Sequence, residues 1–96
     1  MTLPMPEIPK MRLIFVDDEP AVLRMLQAML RPMGNEWEMA FAENGELALQ
    51  TMAQRPVDVV VSDMRMAGMN GAQLLNEVMK RHPRTVRIIL SGYADE

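Results

Sequence analysis

Apolar positions along the chain come in short blocks, and their period switches back and forth between that of a strand and that of a helix. "MRLIFVD" (11–17) is a branched, nearly continuous apolar run, the pattern of a strand buried on both faces. In "PAVLRMLQAMLRPM", Val22, Met25, Leu26, Met29 and Leu30 recur at i, i+3, i+4, i+7 and i+8, which predicts an amphipathic helix. Pro20 suits its first turn and Pro32 its end. "EWEMAFA" (36–42) alternates, with Trp37, Met39 and Phe41 on one face, and reads as a strand. Asn44 can cap a helix reaching about Arg55. "VDVVVSD" (57–63) is the strongest strand pattern, and "MRMAGMNG" after it reads as a loop. Asn70 with Gln73 three residues on forms a reciprocal cap, and Leu74, Leu75, Val78 and Met79 make the next helix's buried face. Pro83 ends that helix, and "TVRIILS" (85–91) is a fourth strand. The order β-α-β-α-β-α-β predicts a parallel sheet with right-handed crossovers. Pro4, Pro6 and Pro9 block helix and ladder alike, so residues 1–10 read as a flexible leader and 11–96 as one domain.

Composition narrows the chemistry. The chain has 96 residues, so it holds one domain at most; 49% are apolar and 24% charged, ordinary for a globular domain. A formal net charge of −3 gives no footprint for nucleic acid or an anionic membrane. There is no cysteine, which excludes thiol catalysis and thiolate metal sites, and His82 alone cannot make a multi-histidine site. No apolar run approaches the ~18 residues of a membrane span, and no signal-peptide pattern opens the chain, so the expected location is the cytoplasm. Twelve methionines read as core filler.

The acids are the informative residues. In a parallel sheet all strands share one carboxyl edge. The first strand ends at Asp17 and Asp18, the third at Asp63 and the fourth at Ser91. In the order 2-1-3-4 the first and third strands are neighbours at the switch point, where a crevice opens. Three carboxylates and a hydroxyl would meet there. Two charges about 5 Å apart repel by roughly 3 kcal/mol at an effective dielectric near 20. A hard divalent cation relieves this, and Mg²⁺, which keeps waters and a phosphate oxygen, suits the set better than caged Ca²⁺. A carboxylate beside such a cation can act as a nucleophile toward phosphorus. Taken singly, the residues have plainer readings. Asp18 or Glu19 could cap the helix beginning near Pro20, Asp63 could be a polar strand end, and Ser91 a turn residue.

"FVDDEPAVL", "VVVSDMRMAGMNG" and "IILSGYAD" resemble the receiver domain of bacterial two-component response regulators, from about Met11 to Glu96. The resemblance implies a flavodoxin-like three-layer fold. It implies that Asp63 takes a phosphoryl group from a histidine of a sensor kinase or phosphotransfer protein. Asp18 would bind Mg²⁺ directly, Asp17 directly or through water, and the backbone carbonyl of Arg65 would be a further ligand. Ser91 would contact the phosphoryl group, Gly92 would leave space for it, and the side chains of Arg65 and Tyr93 would tune hydrolysis.

Two departures matter. The family usually carries proline four residues after the phosphoacceptor, where this chain has Ala67. A complete receiver also continues with a helix, a fifth strand ending in a lysine, and a fifth helix. Neither Lys10 nor Lys80 matches that lysine, and truncation of a longer parent is the expected explanation. The missing elements would leave the fourth strand as an edge and one sheet face partly bare, which predicts self-association as a homodimer or marginal stability. A competing reading is a receiver-like interaction module with impaired phosphotransfer. An aspartate-nucleophile phosphohydrolase would want an acid at position 65, where Arg65 stands, and a dinucleotide enzyme would want glycines where "DDEP" stands.

Overall fold

The computed structural model describes Leu3 and residues 9–90. Strands β1 (Met11–Val16), β2 (Trp37–Ala42), β3 (Val59–Ser62) and β4 (Val86–Ile89) alternate with helices α1 (Pro20–Leu30), α2 (Gly45–Gln54) and α3 (Gly71–Arg81). A short 3-10 helix (Arg31–Asn35) follows α1, where Pro32 prevents the α-helix from continuing. The strands form one parallel sheet in the order β2-β1-β3-β4, as the sequence pattern predicts. The expected leader falls, apart from Leu3, Pro9 and Lys10, outside the described residues, as does Ser91 at the expected end of the fourth strand.

Successive strand residues point to opposite faces, and each face has its own core. Ile14, Val16 and Val60 face α2 and α3, where Ala48, Met52, Leu74 and Val78 complete a fully enclosed cluster. Burying an aliphatic side chain of this size contributes about 1.5–3 kcal/mol, so this layer carries most of the fold. Leu13, Phe15, Val59 and Val61 face α1, with Trp37, Met39 and Phe41 of β2 on the same side. Phe15 and Phe41 stack at 5.4 Å between centroids.

The caps follow the sequence reading. Asn44 accepts from Leu47 N–H at 2.8 Å. Asn70 and Gln73 form the reciprocal box, at 2.8 and 2.9 Å. The helix faces are less regular than the pattern suggests. Leu23, not the expected methionines, is the buried residue of α1; Met25 and Met29 are 52% and 64% exposed. Leu23, Leu26 and Leu30 are the α1 residues that join the cluster with Leu13 and Phe15, and Met25 and Met29 lie outside it. Met79 of α3 is likewise 45% exposed rather than buried, because Leu74 and Val78 take the central positions against the sheet. Of the described methionines only Met52 and Met66 are buried, so the core-filler reading holds in part.

The amino-terminal rim of the sheet is braced by a cluster that the sequence does not announce. Arg12 reaches Glu38 at 3.1 Å and the carbonyls of Arg55 and Pro56 at 2.9 and 2.6 Å. Arg55 pairs with the same Glu38 at 2.8 Å, and Asp58 accepts from Arg12 N–H at 2.8 Å. Nearby, the buried Thr85 hydroxyl donates to Val57 O at 2.7 Å, tying the start of β4 to β3. These contacts tie β1, β2, β3 and β4 together at the rim opposite the acids.

Candidate functional site

The register of β1 and β3 brings the acids together. Val16 pairs with Ser62, so Asp17 and Asp63 stand side by side one residue beyond the last ladder pair. Asp63 N–H donates to Val16 O at 2.9 Å, and Asp17 N–H to Ala42 O at 3.1 Å, fixing both backbones to the sheet. Asp18 follows at the turn into α1. One carboxylate oxygen from each of Asp17, Asp18 and Asp63 lies within 4.8 Å of the others. The convergence expected from the strand order is therefore present in the geometry.

Local structure explains how each acid is held. Asp17 Oδ1 accepts from Glu19 N–H at 2.9 Å, shaping the turn into α1. Glu19 occupies the N-cap position of α1 but makes no side-chain cap, and Asp18 does not cap the helix either. Asp18 Oδ2 instead accepts from Ala67 N–H at 3.0 Å, across 49 residues of sequence. Asp63 is anchored from behind: the fully buried Ser62 hydroxyl donates to its carbonyl at 2.9 Å. Gly71 N–H donates to Met64 O at 2.9 Å. A Cβ at Gly71 would collide with the Asp63 carbonyl oxygen and Met64 Cα, so only glycine allows α3 to begin this close to the acid.

The electrostatics match a cation site. Burial pushes the Asp17 carboxyl above its ordinary value of 3.8; the charges of Asp63 and Asp18 push the same way, and the Glu19 N–H opposes them. A positive ion beside these carboxylates would offset both the burial and the like charges. The donor set is all oxygen and all accessible from the rim, which fits a hard divalent cation held by few protein ligands. Arg65 lies on the exposed loop after β3. The roles expected of Ser91, Gly92 and Tyr93 fall outside the described residues, although Leu90 N–H donates to Ser62 O at 2.8 Å, so the ladder runs to this rim. The open clefts elsewhere, such as that between Arg12, Arg55 and Asp58, do not include the three acids.

Residues 13–96 match the profile of the response regulator receiver domain. The chain belongs to that family. Among its relatives, this receiver is 35% identical over 82 residues to the hydrogenase transcriptional regulatory protein HoxA of Cupriavidus necator, covering 85% of the chain and 16% of HoxA. It is 35% identical over 80 residues to the DNA-binding transcriptional regulator NtrC of Escherichia coli, covering 83% of the chain and 17% of NtrC. The receiver thus spans about a sixth of the length of these curated relatives. Among solved structures, it superposes with a TM-score of 0.83 and 33% identity on the signal receiver domain of an HD domain-containing protein from Pseudomonas fluorescens, covering 91% of this chain and 68% of that one. The fold is also that of the chemotaxis protein CheY4 of Vibrio cholerae, at a TM-score of 0.82 and 24% identity, covering 91% of this chain and 72% of that one.

Proposed function

We propose that this receiver is a phosphoacceptor: Asp63 takes a phosphoryl group from a phosphohistidine of a sensor kinase or phosphotransfer protein, with Mg²⁺ among Asp17, Asp18 and Asp63. The observation that carries this reading is the meeting of three carboxylates at one rim, with Asp63 fixed by Ser62, Val16 and the close approach of Gly71. An Asp63 carboxylate oxygen attacks phosphorus in line; the new O–P bond forms as the P–N bond to the donor imidazole breaks, and the imidazole leaves with the electron pair. Mg²⁺ supplies charge neutralisation for the acids and the transferring group. Asp18 and Asp17 hold the cation, the backbone carbonyl of Arg65 adds a ligand from the loop, and Ser91 accommodates the arriving phosphoryl oxygens. The chain is an acceptor rather than a turnover enzyme. It works in the cytoplasm, and the domain it controls lies outside it; the regulators HoxA and NtrC suggest a transcriptional output.

The test is mass spectrometry after incubation with Mg²⁺ and a small phosphodonor such as phosphoramidate. One hydroxylamine-sensitive phosphoryl group on Asp63 is expected, absent without Mg²⁺ and absent in Asp63→Asn. Phosphorylation that persists in Asp63→Asn would refute the assignment. One observation favours a second role, as an association module. Val86, Ile88 and Leu90 on the α1-side face of β4 are 55%, 42% and 51% exposed, and β4 is the last strand of the sheet among the described residues. A second copy of the chain docked there would cover this apolar strip. Sedimentation velocity should then show a concentration-dependent dimer, and a monomer at every concentration would exclude it.

A further inference from the structure

We propose that the backbone N–H of Ala67 is a positioning group of the cation site, tethering the Asp18 carboxylate to the loop that leaves Asp63. The inference rests on reading the three acids as a divalent-cation site. Ala67 N–H lies 3.0 Å from Asp18 Oδ2, and the loop that carries it is pinned on both sides. Met66, one residue earlier, is 8% exposed and belongs to the core under α2 and α3. Met69, two residues later, packs on the core and fills the space a Cβ would need at Gly45, the first residue of α2. Gly68 makes the intervening turn with φ +74°, a conformation that suits glycine. The donor is therefore held in place before any cation arrives.

The consequence for Asp18 follows from its chemistry. A carboxylate offers about four lone-pair directions over its two oxygens. The tether occupies one of them on Oδ2 and restricts the side-chain torsions, while the carboxylate keeps free lone pairs for the cluster it shares with Asp17 and Asp63. A ligand already oriented loses less freedom on binding. The same bond joins the cation site to the loop after Asp63, because the carboxylate that would hold the ion is bonded to that loop. Proline at this position has no N–H and cannot make the contact, so the tether belongs to the residue this chain has in place of the family's usual proline.

Two measurements test it. In metal-free protein, hydrogen exchange followed by NMR should show the Ala67 amide protected, with that protection lost in Asp18→Ala. Mg²⁺ titrations of the same NMR spectra should then give a dissociation constant about three- to tenfold weaker in Ala67→Pro, as expected for the net loss of one solvent-accessible hydrogen bond. Ala67→Gly, which loosens the loop but keeps the N–H, should stay within about twofold of wild type. An unprotected Ala67 amide would overturn the tether, and an unchanged Mg²⁺ constant in folded Ala67→Pro would overturn its positioning role. Replacing residue 67 by lactic acid exchanges the N–H for an ester oxygen while keeping the methyl side chain, and should reproduce the loss if proline prevents folding. If the wild-type chain binds no Mg²⁺, the cation reading and the positioning role fall together, while the exchange result still decides whether the hydrogen bond exists.

Discussion

Asp63→Asn should make the metal-free protein more stable, although it removes the residue proposed to carry the phosphoryl group. In the wild type Asp63 sits within 4.8 Å, oxygen to oxygen, of both Asp17 and Asp18. A pair of unit charges at that distance repels by about 1 kcal/mol in water and about 3.5 kcal/mol at an effective dielectric of 20. These acids reach solvent at the rim, so the lower value applies to each of the two pairs that the substitution relieves, giving about 2 kcal/mol. For a domain of this size 1 kcal/mol moves Tm by about 4–8 °C, so thermal melts in EDTA should place Asp63→Asn about 8–16 °C above wild type. Saturating Mg²⁺ should close the gap, because an ion at a hundredfold its dissociation constant stabilises the folded state by about 2.7 kcal/mol and the wild type binds it better. An Asp63→Asn Tm at or below wild type in EDTA would refute the repulsion argument. Equal Mg²⁺ shifts in the two proteins would refute the shared site.

Other expectations follow from the same geometry. Because Asp17 is raised above 3.8 in the fold, the folded state binds its proton more tightly than the unfolded state. Metal-free stability from this group is therefore lost as pH rises from 3.8 through the raised value. Urea midpoints of Asp17→Asn should accordingly gain on wild type across that window, and a difference independent of pH would contradict the shift. Gly71→Ala should destabilise by about 1–3 kcal/mol through overpacking against the Asp63 carbonyl. A gain in urea midpoint would mean that α3 can move away freely. Asn70→Ala breaks the reciprocal cap of α3 and should cost about 1 kcal/mol; an unchanged urea midpoint would show that the cap is redundant.

Much of the fold was legible because local signals agreed with one another. Val57–Asp63 could be read as a strand from its branched residues alone, and Asn70 with Gln73 marked the start of α3 to the residue. Alternation and handedness point to a parallel sheet, and the common order 2-1-3-4, which the fold adopts, brings Asp17, Asp18 and Asp63 together. What stayed hidden depends on distance in sequence. Helical period identifies a face but not which flank of it the sheet covers, so Met25, Met29 and Met79 looked buried and Leu23 did not stand out. The Arg12–Glu38–Arg55 brace joins three elements through charges that look like ordinary surface residues. The Ala67 contact is donated by a backbone N–H to the Asp18 carboxylate, and no side-chain pattern at position 67 encodes it, although the departure from proline marks the position.

If one divalent cation sits among the three acids, Mn²⁺ in place of Mg²⁺ should locate it by NMR. Substoichiometric Mn²⁺ should broaden the amide resonances of Asp17, Asp18, Asp63 and Met64 first, leaving those of Arg12, Trp37 and Asp58 at the opposite rim sharp, and excess Mg²⁺ should reverse the effect. Broadening centred on the Arg12–Glu38 rim, or spread evenly over the chain, would rule out a cation among the three acids.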